Sequence, residues 1–251
     1  MAQRHVSSAR NKPASIRASP CIVLIGFDLH QNRRQNSFGY ERKMKSALDT
    51  YQSQAQELAA AGARLNDASL FAGQAPMSIA FLTDDDRIGD PSTIISALPP
   101  GTGVIYRDYN APSRAQMAGR LTDLCIERKL LFYVAGDPDL AERVGAHGIH
   151  LSAKDAQKPP AKNSDLLLSV ACHNEEEIQQ AEDIGANSIF LSPVFPTRSH
   201  PGAGALGVDR FKQLAALSSI PVLALGGVTA KNAAELKAPS VAGFGAIGAF
   251  A

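Results

Sequence analysis

From position 79 onward the chain alternates short apolar runs with amphipathic segments, and this alternation restricts the folds open to it more than any other feature. The apolar runs fall at 79–83, 103–107, 131–135, 148–151, 166–171, 188–191, 222–225 and 241–247, and each reads as a buried strand. Segments 91–98, 112–129, 138–144, 174–184, 208–217 and 230–236 read as helices, while the polar, Pro-containing stretch 152–165 has room for a short turn at most. Strands alternating with helices pair in parallel through right-handed crossovers. Eight of them closing on themselves make a (β/α)8 TIM barrel.

An internal repeat supports closure. Ala141, Gly145, Ala146, Ile149, Leu151 and Ser152 return 40 residues later as Ala181, Gly185, Ala186, Ile189, Leu191 and Ser192. Each copy is a helix end, a Gly-Ala turn and a strand, and the spacing corresponds to two strand–helix units. An open doubly wound sheet would want a glycine-rich nucleotide fingerprint after its first strand, whereas Thr83-Asp84-Asp85-Asp86-Arg87 is acidic and lacks glycine. The barrel is compact: positions 79–251 give 173 residues, about 22 per unit. Four residues follow Ile247, so the eighth helix is expected to be missing.

Upstream, residues 1–76 read as an extension, with 1–40 disordered and 41–65 helical, and the barrel domain spans 77–251. Met44, Leu48, Tyr51, Ala55 and Leu58 make one apolar stripe on that helix, with Gly62 and Asn66 as terminators. The stripe either fills the groove between the last and first strands or forms a homodimer contact, because a monomer would leave it exposed. A net charge of +1 argues against nucleic acid or an anionic membrane as partner, so any anion must be held by a local site. No stretch has the ~20 apolar residues of a membrane span. The basic residues before Cys21 are not followed by a cleavage pattern, so no processed leader is expected. Cys21, Cys125 and Cys172 are odd in number and far apart, which fits a reducing cytoplasm rather than a disulfide framework or a CxxC metal site.

In a barrel of this kind the reactive face is the C-terminal rim of the strands. Leu225-Gly226-Gly227-Val228-Thr229 follows the seventh strand, and Ile247-Gly248 ends the eighth. Glycines there let backbone N–H groups approach a phosphate, with the next helix dipole behind them. Each N–H to a charged oxygen contributes about 1.5–3 kcal/mol, so three or four give micromolar affinity. The loop Ser192-Pro193-Val194-Phe195-Pro196-Thr197-Arg198-Ser199-His200-Pro201-Gly202 is stiffened by prolines and offers Thr197, Arg198 and Ser199 as phosphate ligands. His150 is read as a packed or hydrogen-bonded residue and His173 as a capping or solvent-facing one, neither as a catalyst.

Gly148-Ile149-His150-Leu151, Leu168-Ser169-Val170, Ser192-Pro193-Val194-Phe195-Pro196-Thr197, Leu206-Gly207 and Ala224-Leu225-Gly226-Gly227-Val228-Thr229 stand in this order and at these spacings. From 79 to 251 the chain thereby resembles the thiamine phosphate synthase / thiazole tautomerase (TenI-like) family. The resemblance implies a TIM barrel that joins hydroxymethylpyrimidine diphosphate to thiazole phosphate, releasing pyrophosphate, with Mg²⁺. It implies Arg107 on the diphosphate, Asp155 as a metal carboxylate, Ser169 as the fifth-strand hydroxyl, and Thr197 and Ser199 on phosphate. His200 stands at the position of a family lysine.

The pattern is incomplete. Ile105 and Tyr109 replace a Gln and a Lys of the family's diphosphate site, and Ala135-Gly136 replaces an Asn-Asp pair whose Asp binds Mg²⁺. One carboxylate with substrate phosphates and waters can still hold Mg²⁺, Arg198 and protonated His200 can replace the lysine charge, and Asp137 can swing toward the lost Asp or cap a helix. Pro193 occupies the position of the tautomerase histidine, which favours the synthase branch. The alternatives are a phosphate-ligand-binding barrel without turnover, or a tautomerase.

Overall fold

The computed structural model describes residues 28–159, 165–197 and 204–247, with side chains from Lys45 onward. The chain divides into two compact units, Met1–Met44 and Lys45–Ala251. In the first, the described residues are helical. The second contains eight strands, β1 Ile79–Leu82, β2 Gly103–Tyr106, β3 Leu131–Ala135, β4 Gly148–Leu151, β5 Leu167–Cys172, β6 Ser188–Leu191, β7 Val222–Ala224 and β8 Val241–Ala246. They pair in parallel in sequence order, and β1 pairs with β8, so the sheet closes into a barrel.

Helix α1 is Asp28–Asp67, and α2 Asp85–Ile88, α3 Ser92–Ala97, α4 Arg114–Glu127, α5 Pro138–Arg143, α6 Glu175–Asp183 and α7 Gly207–Ala215 follow the strands. Short 3₁₀ turns stand at Asp155–Gln157 and Ala233–Leu236. Both faces of the sheet are buried, and alternate residues divide between them. On β2, Val104 and Tyr106 face the helices while Ile105 points into the barrel. Tyr133, Phe190, Leu82 and Leu223 fill the interior with it. The sequence repeat is a repeated turn: Ala146 N donates to Ala141 O at 2.9 Å, and Ala186 N to Ala181 O at 3.0 Å, each closing a helix before an inner strand.

The N-terminal helix departs from expectation. It begins at Asp28 rather than 41, so residues 28–40 are helical where disorder was expected, and it runs through Gly62 to Asp67. Gly62 does not end the helix; it allows close approach. A β-carbon there would lie 2.5 Å from the Ser78 carbonyl oxygen, which itself accepts from Phe244 N of β8 at 3.2 Å. Ala55, Leu58, Ala61 and Leu65 share one buried cluster with Ile79 of β1 and Phe244 of β8. Leu70 N then donates to Pro239 O just before β8. These contacts put residues 55–65 of the helix over the seam between the last and first strands; the compact unit starts at Lys45, and the boundary expected at 76/77 falls inside it. The segment 230–236 contracts to the 3₁₀ turn Ala233–Leu236, and α2 adds a turn that the sequence pattern did not signal.

Truncating this stripe should therefore damage the whole barrel. Leu58→Ala is expected to cost about 2–5 kcal/mol in urea unfolding, as for other buried leucines. Leu70→Ala, at a side chain 74% exposed, should stay within about 0.5 kcal/mol. Equal effects of the two would remove the helix from the core.

Candidate active site

At the first two strand ends, one threonine organises the rim. Thr83 follows β1, and its Oγ1 donates to Asp108 Oδ1 at 2.9 Å and accepts from Arg107 N at 2.9 Å. Arg107 Nε donates to Thr83 O at 3.1 Å, and its outer nitrogen lies 3.9 Å from Asp84 Oδ2. The guanidinium is thus anchored by its base and keeps donors for a ligand. Asp108 is buried, and desolvation pushes its carboxyl above the ordinary range against the lowering effect of the Thr83 bond; Asp85 adds to the rise and Arg107 opposes it.

Below the mouth the register aligns Ala135 with His150 and His150 with Ser169. His150 Nδ1 lies 2.9 Å from Ser169 Oγ, and the imidazole meets the Phe190 ring edge-on at 5.3 Å. Burial drives the His150 pKa down to about 3, and the charge of Arg107 pushes the same way. The imidazole is therefore neutral at physiological pH and both packed and hydrogen-bonded, as its place on the strand suggested. His173 Nδ1 donates to Ser192 O at 2.7 Å and holds the β6 end, while Asn174 caps α6 by accepting from Glu177 N.

The β2–β4 side carries Tyr109, Arg114, Gly136 and Asp155. Arg114 opens α4 but turns back over β3, donating to Ala135 O at 2.6 Å and to Asp137 Oδ2 at 3.2 Å. Its guanidinium sits over the Tyr109 ring, 5.5 Å from the centroid. Gly136 has φ +67°, and a β-carbon on it would lie 3.3 Å from Tyr109 Cε1 and 3.9 Å from Asp155 Oδ2. Asp155 Oδ2 accepts from Ser152 Oγ at 2.7 Å, and Asp155 N donates to that hydroxyl.

Opposite, Gly226 (φ +93°) and Gly227 (φ +67°) follow β7. A β-carbon on Gly226 would meet Pro193 at 2.9 Å, and one on Gly227 would meet Phe195 Cβ at 2.8 Å. The pair therefore lets the loop after β6 lie directly on the loop after β7, where Val194 N donates to Leu225 O and Phe195 N to Gly226 O. Among the described residues, no partner takes the N–H groups of Gly226 and Gly227. Asn232 accepts from Thr229 N and donates to Gly227 O, which fixes the turn. The helix dipole expected behind the glycines is not there, because the following element is one 3₁₀ turn.

Of the residues singled out from sequence, Arg107, Asp155 and Ser169 lie at or beneath one mouth, with Gly226, Gly227 and Thr197 on the β6–β7 side and Ile247 at the end of β8. Arg198, Ser199, His200 and Gly248 lie outside the described residues. Thr83 and Asp108 fall on strand ends expected at the rim but were given no role, and Arg114 was missed, because its side chain reaches back to the neighbouring strand end and no local motif announces that. Asp137 cannot swing toward Gly136, since Oδ1 accepts from Leu140 N as the α5 cap and Oδ2 binds Arg114. A metal ion would thus find one carboxylate on this side, Asp155. Among the described residues no group of three or more His, Cys, Asp or Glu side chains can hold a metal. The donor set does not suit a resident Mg²⁺ held by the protein alone.

The family model described as thiamine monophosphate synthase matches residues 80–250. A thiamine-phosphate synthase of Thioalkalivibrio sulfidiphilus is 36% identical over 137 residues, covering 52% of this chain and 65% of that protein. One from Pyrococcus furiosus is 30% identical over 173 residues, covering 67% of this chain and 84% of the relative. A solved thiamine phosphate pyrophosphorylase from Pyrococcus furiosus superposes with TM-score 0.56 at 24% identity, over 73% of this chain and 87% of the other, which is a likeness of fold. Among the described residues no helix is long and apolar enough to cross a membrane.

Neutral His150 has a pH consequence. Its folded pKa of about 3 lies below an unfolded value of about 6.5, so the unfolded chain binds the proton first. The contribution is complete above pH ~6.5 and is lost as pH falls, by about 1.4 kcal/mol per unit. Urea unfolding from pH 7 to 5 should show that slope, and His150→Gln should flatten it; an unchanged slope in the variant would assign it elsewhere.

Proposed function

The chain belongs to the thiamine monophosphate synthase family, and on that premise we propose that it joins hydroxymethylpyrimidine diphosphate to thiazole phosphate, releasing pyrophosphate. The reading is supported by the closed barrel, which puts Arg107 after β2 and the Gly226-Gly227 pair after β7 on one C-terminal rim; the N–H groups of that pair have no partner among the described residues. In this reading one anion is held on each side, with neutral His150 and Ser169 on the strands between them.

In this reading the bond between the pyrimidine methylene and the diphosphate oxygen breaks, and its electron pair leaves with pyrophosphate. The thiazole nitrogen lone pair captures the methylene cation to form the new C–N bond. No strong base is required; the protein aligns two rings and neutralises departing charge. Arg107 receives the diphosphate. Thr197, Arg198, Ser199 and the amides of Gly226, Gly227 and Gly248, beside Ile247, hold the thiazole phosphate, with His200 supplying charge from the same loop. Ser169 orients the pyrimidine. When bound, Mg²⁺ would be held by Asp155 together with the substrate diphosphate and waters, and it would supply positive charge to the departing pyrophosphate. Residues 77–251 carry the chemistry and 45–76 brace it.

A phosphate-ligand-binding barrel without turnover is the second reading, favoured by Tyr109 and Ala135-Gly136 where the family places catalytic groups. Incubating the purified full chain with both substrates and Mg²⁺ separates them: thiamine phosphate should form, and Arg107→Gln should lower the rate about 100- to 1000-fold. Thiazole phosphate binding with no product would establish the second reading.

A further inference from the structure

Tyr109 is the most exposed aromatic ring at the mouth, 54% accessible although its surroundings hold it firmly. Arg114 covers one side of the ring, its centroid 5.5 Å from the guanidinium carbon. Arg114 is itself fixed by Ala135 O, by Asp137 and by a second ring, Tyr106, at 5.9 Å. The guanidinium side chain is 16% exposed, so it forms a rigid backing rather than a mobile arm. The edge of Tyr109 rests against Gly136, where any side chain would push the ring away. A half-exposed aromatic surface, immobilised from behind and facing a polar mouth, is an arrangement suited to stacking another flat ring.

We propose that Tyr109 is a stacking platform that positions the pyrimidine ring, with Arg114 as the residue that holds the platform in place. This rests on the synthase reading. The pyrimidine is favoured over the thiazole because Tyr109 stands two residues beyond Arg107, the diphosphate ligand, on the same strand end. The thiazole phosphate is held across the mouth, at Gly226-Gly227. Stacking on an aromatic side chain contributes enough to change affinity about 5- to 150-fold.

Affinities measured by calorimetry on the full chain test the proposal, using hydroxymethylpyrimidine diphosphate, inorganic pyrophosphate and thiazole phosphate as separate probes. Tyr109→Ala should weaken the pyrimidine diphosphate about tenfold or more while leaving pyrophosphate and thiazole phosphate within about twofold. Tyr109→Phe should restore wild-type affinity, and Arg114→Gln should reproduce part of the loss. The chain contains no Trp, so Tyr109→Trp places one indole at the mouth, and its emission should be quenched by the pyrimidine probe but not by pyrophosphate. Equal weakening of all three probes, loss confined to thiazole phosphate, or wild-type protein binding the pyrimidine diphosphate no tighter than pyrophosphate would each overturn the proposal. Product formation by the wild-type chain is read separately, so the synthase reading can stand if the platform falls.

Discussion

Closure of the sheet between β1 and β8 is the constraint from which the site follows. Parallel strands joined by right-handed crossovers all point the same way, so once the ring is closed every C-terminal end opens on one mouth. Residues as distant as Thr83, Asp155 and Gly227 then share a rim that no local segment could build. Closure depends on the seam. There the Ser78 carbonyl accepts from Phe244 N, Gly62 allows the N-terminal helix to cross it, and Leu58, Ala61 and Leu65 cover the apolar face. Residues 55–65 of the helix are therefore part of the barrel's core although they precede the first strand.

The mouth divides into two kinds of surface. On the β1–β4 side, side-chain charges are held in pairs: Arg107 with Thr83 and Asp84, Arg114 with Asp137, and Asp155 with Ser152. Such pairs keep guanidinium donors in place, and a carboxylate committed to a cap or a guanidinium has little left for a metal. On the β6–β7 side, the polar surface comes from backbone amides made accessible by two glycines with positive φ. The same glycines seat the loop after β6, so anion binding and loop position are linked through one pair of residues.

Much of the fold was legible in the sequence because periodicity reports burial. The strand ends came out within about two residues, and the 40-residue repeat corresponds to the recurring Ala141–Ala146 and Ala181–Ala186 turns. Less legible was anything set by tertiary contact. Gly62 reads as a helix terminator, but the helix continues through it, and the approach of Ser78 explains why a glycine stands there. The segment 230–236 has helical composition but contracts to a 3₁₀ turn that Asn232 fixes through Thr229 and Gly227. Arg107, Asp155 and Ser169 were singled out through the family resemblance, and the glycine pair from its place after the seventh strand. Arg114 was not, since an arginine at the start of a helix ordinarily faces solvent, and here it crosses to the neighbouring strand end.

The central claim is that distant strand ends form one ligand-binding mouth with separate anion positions on its two sides. Backbone amide NMR of the full chain, titrated first with thiazole phosphate and then with pyrophosphate, tests it most directly. Thiazole phosphate should shift the Gly226 and Gly227 amides, while pyrophosphate should shift Arg107 and its neighbours, with both ligands bound at once. Shifts scattered away from the C-terminal rim, or one ligand displacing the other from a single position, would contradict it.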